Sequence, residues 1–126
     1  MARLKTATRK ISNRGKSSPI GTSPSRKNGQ PVPWESQAER DAHTEAEYDK
    51  RVLRYTPQPV TLPVWVSGVK RSYTPDLEVQ LQTGEVIYRE VKSCREDLDD
   101  AAATKLAAVD RDLRARRSRL ELTFRR

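Results

Sequence analysis

The chain reads as a mixed α/β domain in the order helix, three strands, helix, strand, with a central mixed sheet flanked by helices. Three observations carry that expectation. Residues 77–81 and 86–91 alternate apolar and polar side chains, the period of a half-buried strand, and Gln82-Thr83-Gly84 separates them. Leu98, Ala102, Leu106, Val109 and Leu113 recur at spacings of four, four, three and four, which puts them on one face of a helix. Ser36-Gln37-Ala38-Glu39 has the capping-box spacing that opens a helix.

Taken in order, residues 1–33 hold eight Lys and Arg and no acid, with many Ser, Gly and Pro. Such a segment buries too little apolar surface to order itself, so residues 1–20 are expected to form a basic arm, unfolded on its own, and residues 21–126 a single domain. A helix follows from Ser36 to about Lys50. Residues 52–62 are extended, and Pro57, Pro59 and Pro63 push them to a sheet edge or break them. Residues 70–73 lead into a hairpin whose three-residue loop ends on Gly84, where a left-handed backbone favours glycine. That loop pairs residues whose numbers sum to 166. Asp76 then lies opposite Glu90, with Cβ atoms about 5 Å apart. Lys92 shares the strand face of Glu90, because side chains repeat every two residues. A long helix over 97–117 and a strand over 120–124 complete the chain, which has no internal repeat.

Composition narrows the function. A chain of 126 residues makes one domain with a modest core. No apolar run reaches the length of a membrane span or a secretory segment. The single Cys94 cannot form an internal disulfide, which fits a reducing, cytoplasmic compartment, and no Cys/His cluster suggests zinc. The net charge of +8 belongs entirely to the N-terminal 33 residues, since residues 34–126 carry seventeen charges of each sign. Arg3, Lys5, Arg9, Lys10, Arg14, Lys16, Arg26 and Lys27 suit a phosphate backbone. A solubilising tail, or an organellar transit peptide with Leu4, Ala7 and Ile11 at helical spacing, competes with that assignment. A second concentration, Arg111, Arg114, Arg116, Arg117, Arg119, Arg125 and Arg126, offers planar donor forks for phosphate, Arg114 and Arg117 foremost, against the alternative of a solvated helix face.

The chemistry centres on Asp76, Glu90 and Lys92. Two carboxylates this close repel unless one is protonated or a cation lies between them, and Mg²⁺ takes oxygen ligands. An ordinary Glu90–Lys92 ion pair beside a turn residue, Asp76, is the plain alternative. His43 is expected to be a surface or core residue, Cys94 has no evident base, and Trp34 and Trp65 are expected to pack.

Five pieces stand in one order: Gly21-Thr22-Ser23-Pro24-Ser25-Arg26-Lys27, Glu35-Ser36-Gln37-Ala38-Glu39-Arg40, Gln58-Pro59, Tyr73-Thr74-Pro75-Asp76 and Glu90-Val91-Lys92. With the order of elements, they resemble the restriction-endonuclease-like core. More narrowly, they resemble the N-terminal catalytic domain of TnsA-type endonuclease subunits of heteromeric transposases, over about residues 20–95. The resemblance implies a metal-dependent DNA endonuclease cutting one strand at transposon ends. Glu39, Asp76, Glu90 and Lys92 would be catalytic, and Asp76, Glu90 and Glu39 would hold Mg²⁺ or Mn²⁺. For Glu39 the helix cap is a competing explanation, and Glu35 is a nearby substitute. Implied partners are double-stranded DNA, an integrase-like transposase and an ATPase regulator, with no membrane, an oligomer compatible, and a bacterial or phage origin. The chain departs from the family at Leu77, where an aromatic is usual, and in showing no second DNA-binding domain after the last strand, which leaves the partner contacts open. A junction-resolving or repair nuclease on the same fold, and a non-catalytic basic DNA-binding or assembly module, are the alternatives.

Overall fold

The computed structural model describes residues 20–57, 59, 61–92 and 94–124; the arm at 1–19, Gln58 and the pair Arg125 and Arg126 lie outside the described residues. The elements are β1 (Gly21–Ser23), β2 (Val32–Trp34), α1 (Gln37–Tyr48), β3 (Val52–Pro57), β4 (Leu62–Val66), β5 (Val69–Tyr73), β6 (Leu77–Leu81), β7 (Val86–Lys92), a single 3-10 turn at Arg95–Asp97, α2 (Asp100–Ala115) and β8 (Leu120–Phe124). They form a mixed α/β fold around a four-stranded sheet of order β3-β6-β7-β8, antiparallel except for the parallel β7–β8 pair. A parallel pair needs a long crossover, and α2 supplies it.

The hairpin of β6 and β7 has the expected register: Leu77 pairs with Arg89, Glu78 with Tyr88, Val79 with Ile87 and Gln80 with Val86. Its loop closes through Gly84 N–H to the Leu81 carbonyl, at 2.9 Å, with Gly84 at φ 95°. A side chain there would be strained, so glycine sets the loop length and with it the register.

Strand alternation gives the sheet two apolar faces. Val52, Tyr55, Leu77, Val79, Leu81 and Ile87 pack with Ala46 of α1 and Val32 of β2. Tyr88 packs with Leu62, Val64 and Tyr73 of the β4–β5 hairpin and Leu106, Val109 and Leu113 of α2. Each fully buried aliphatic side chain contributes about 1.5–3 kcal/mol. The expected helical stripe is therefore real, although its N-terminal members Leu98 and Ala102 are only half-buried. α2 itself starts later than 97: Asp99 caps it by accepting the Ala102 N–H at 2.8 Å, an arrangement that an Asp at this position favours.

Other features also differ from the sequence expectation. The extended segment at 52–62 divides, because β3 ends at Pro57 and β4 pairs with β5 in a separate hairpin. Ser67 and Gly68 turn that hairpin with φ of 50° and 79°, the two left-handed residues of a type I′ turn. The Ser-Gly dipeptide between Val66 and Val69 was the available signal. Trp65, expected to pack, is instead 55% exposed on this hairpin. Trp34 does pack: its indole leaves a Cβ on Gly21 only 2.7 Å of clearance, and the Arg40 guanidinium stacks over its ring.

The segment 25–28 latches the N-terminal hairpin to the core. Glu47 accepts from Ser25 Oγ at 2.7 Å, from the Arg26 N–H at 3.0 Å and from Tyr55 Oη at 2.8 Å. Asn28 both donates to the Tyr55 carbonyl and accepts its N–H, imitating a neighbouring strand on the edge of β3. Covering part of an edge strand in this way makes it a poorer template for aggregation. Among the described residues no helix is long and apolar enough to cross a membrane.

Candidate active site

Asp76 precedes β6 and continues its pairing. Its N–H donates to the Arg89 carbonyl at 3.1 Å, so the next position on β7, Glu90, stands opposite it. The Asp76 Oδ2 accepts the Val91 N–H at 2.8 Å, which orients the carboxylate across the strand pair. Glu90 is held from two sides: Tyr73 Oη donates to its Oε1 at 2.5 Å, and Lys92 Nζ lies 3.5 Å from its Oε2. The three residues singled out from spacing are thus brought together at the ends of β6 and β7.

The electrostatics follow from this enclosure. Burial first, and then the charge of Glu90, push the Asp76 carboxyl up to about 6, against the opposing Val91 N–H. The charge of Glu39 adds to the rise and that of Lys92 offsets it. Burial, then the Glu90 carboxylate, hold the Tyr73 phenol well above its ordinary range, so Tyr73 acts as a donor throughout the physiological range.

Glu39 takes the capping place that its position suggested. Its N–H donates to Ser36 Oγ at 3.1 Å, the helix cap, and its Oε1 accepts the Glu35 N–H at 2.6 Å. Its charge also reaches Asp76 across the space between α1 and the sheet. Glu35 is buried, with its backbone tied to that same carboxylate. His43 is a core residue, 1% exposed, against the Tyr55 ring, and burial lowers its imidazole to about 4. Cys94 is exposed.

Among the basic residues expected on DNA, Lys27 has a structural role: its ammonium donates to the Ala46 and Asp49 carbonyls at 2.9 and 2.5 Å, at the C-terminus of α1. Arg26 is exposed. Arg114 pairs with Asp110 at 2.8 Å, one turn away on α2, and Arg117 is exposed just past its end, at φ 61°. Arg3, Lys5, Arg9, Lys10, Arg14 and Lys16 lie outside the described residues. Tyr73 was missed as a functional residue, although it stands three positions before Asp76. Its available signal was its place as the one large aromatic residue just before Pro75-Asp76, and in the fold it is the buried residue of β5.

Among the described residues no three His, Cys, Asp or Glu side chains converge in a preassembled metal cage. The pair Asp76 and Glu90 still fits a hard divalent cation. Mg²⁺ commonly keeps several waters and takes only one or two carboxylates, with substrate phosphates completing its shell. Burial first, and then the Glu90 charge, disfavour an ionised Asp76, so a bound cation would relieve the pair. No protein-family model and no curated protein sequence matches the chain.

Proposed function

We propose that this protein is a divalent-metal-dependent DNA endonuclease with a restriction-endonuclease-like core, of the kind found in TnsA-type transposase subunits. The observation that supports this reading is the half-buried pair Asp76 and Glu90, whose charges disfavour one another, with Lys92 on the same strand face. Unaided phosphodiester hydrolysis is slow enough that a catalyst must remove well over about 10 kcal/mol of barrier. A lone cation on a side chain cannot supply that. A bound Mg²⁺ or Mn²⁺ would supply Lewis-acid stabilisation of the phosphate and acidify a water. The chain's own residues provide the frame: Asp76 and Glu90 give the oxygen ligands, with Glu39 adding negative charge. Val91 N–H and Tyr73 Oη fix the two carboxylates. Lys92 neutralises the phosphate or orients the attacking water. Action at transposon ends, with an integrase-like transposase and an ATPase as partners, follows from the same resemblance.

The test is cleavage of supercoiled plasmid by the full chain. A nicked or linear product should require Mg²⁺ or Mn²⁺, vanish with EDTA, and be absent in Asp76→Asn and Glu90→Gln. An active Asp76→Asn protein removes the nuclease assignment. A non-catalytic DNA-binding or assembly module is the second reading, favoured by the lack of three converging ligands among the described residues. It predicts DNA binding with no calorimetric signal for either cation.

A further inference from the structure

The hairpin β4–β5 and helix α2 enclose an open cleft of about 560 Å³, and its lining includes Arg71, Lys105, Thr104 and Asp100. Arg71 comes from the strand that runs directly into Tyr73 and Asp76. Lys105 comes from α2, and its Nζ sits 5.7 Å from the centre of the Tyr73 ring, the same tyrosine that donates to Glu90. Lys105 therefore links the cleft to the tyrosine that holds the acid pair. Adding the half-length of a tyrosine to those two contacts puts Lys105 within about 11 Å of Glu90, roughly three nucleotide steps along a duplex at about 3.4 Å each.

Charge favours a polyanion here. Residues 61–75 contain Lys70 and Arg71 and no acid. Asp100 is the carboxylate on the cleft lining, where Arg71 and Lys105 outnumber it. Alternation along β5 separates the two cations at its centre: Arg71 pairs with Val64 on the inward face, while Lys70 pairs with Trp65 on the outward face. Lys70 is thus a built-in control of equal charge on the same strand.

We infer that this cleft carries the DNA backbone flanking the scissile phosphate, with Arg71 and Lys105 as its phosphate contacts. The inference takes its ligand from the nuclease reading and adds the path of the strand, which neither sequence spacing nor the acid pair specifies. Arg71 offers a planar fork to one phosphate, and Lys105 a point charge to the next, nearer the acids.

The experiment is fluorescence anisotropy of a labelled duplex with the full chain in EDTA, across a salt series. Each phosphate contact contributes about 0.9 to the slope of log K against log salt. The double variant Arg71→Gln/Lys105→Gln should lower the slope by nearly two and weaken binding, while Lys70→Gln leaves the slope unchanged. Lys105→Arg should retain the wild-type slope. A double variant with less than half the expected drop, or a Lys70→Gln drop matching that of Arg71→Gln, overturns the cleft assignment. Plasmid cleavage by the wild-type protein, read separately, keeps the two proposals apart. Cleft-dependent binding without cleavage removes the nuclease and keeps the cleft as a DNA contact. Cleavage with a normal salt slope in the double variant removes the path and keeps the nuclease.

Discussion

Asp76→Asn should make the metal-free protein more stable while abolishing its chemistry. The asparagine side chain would keep an acceptor for the Val91 N–H and lose only the charge that burial and Glu90 disfavour. The Asp76 carboxyl rises from 3.8 to about 6 on folding, which is worth about 3 kcal/mol at 1.36 kcal/mol per pH unit. An acid whose proton affinity rises on folding contributes stability that is complete below pH 3.8 and lost as pH rises through 6. At pH 7.5 the wild type has lost it and Asp76→Asn, which does not ionise, has not. The variant should therefore gain up to about 3 kcal/mol in urea titrations at pH 7.5 with EDTA, or roughly 10 °C in melting temperature for a domain of this size. The gain should shrink towards zero as pH falls below 4. His43 titrates alike in both proteins and drops out of the difference. Added Mn²⁺ should raise the melting temperature of the wild type and leave Asp76→Asn unmoved, since a ligand stabilises only the state that binds it. A variant no more stable than wild type at pH 7.5, or equally stabilised at every pH, refutes the claim that burial and Glu90 together hold the Asp76 carboxyl above its ordinary range.

Glu39→Gln keeps an acceptor for the Glu35 N–H, so melts should change by less than about 1 kcal/mol, the worth of a whole helix cap. Plasmid cleavage should nonetheless fall at least tenfold, and full activity would leave Glu39 as a cap alone. His43 remains neutral in the fold down to about pH 4, while the unfolded chain protonates it near 6.5. Its contribution is present above 6.5 and lost as pH falls to 4, about 3 kcal/mol in all. Denaturant midpoints of His43→Leu should accordingly drop less than wild type over that interval, and parallel curves would contradict the buried, neutral imidazole. Deleting residues 2–19 removes six basic residues. It should lower the salt slope of duplex binding by about 0.9 per lost contact, equally for specific and random sequences, with cleavage at saturating DNA preserved. An unchanged slope would assign the arm to a protein partner or to targeting.

The sequence alone determined the parts of this protein that depend on near neighbours. Gly84 and a three-residue loop specify one hairpin register, because a one-residue slip would turn Val79 and Ile87 out of the core; that register delivers Asp76 opposite Glu90. The Ser36 cap, the α2 stripe and the β8 alternation are likewise local patterns, and each formed its element. Tertiary structure alone decided what depends on residues distant in the chain. Nothing local in Lys27 says that its ammonium will cap α1, because the Ala46 and Asp49 carbonyls arrive only when the latch closes. Nothing local in Tyr73 says that its hydroxyl will hold Glu90 seventeen residues on, or in Lys105 that it will lie against the same ring. The raised proton affinity of Asp76 belongs to this second class as well. Hairpin pairing brings the second carboxylate, but the larger cause is burial, and only the packed domain excludes the water that would otherwise solvate the charge.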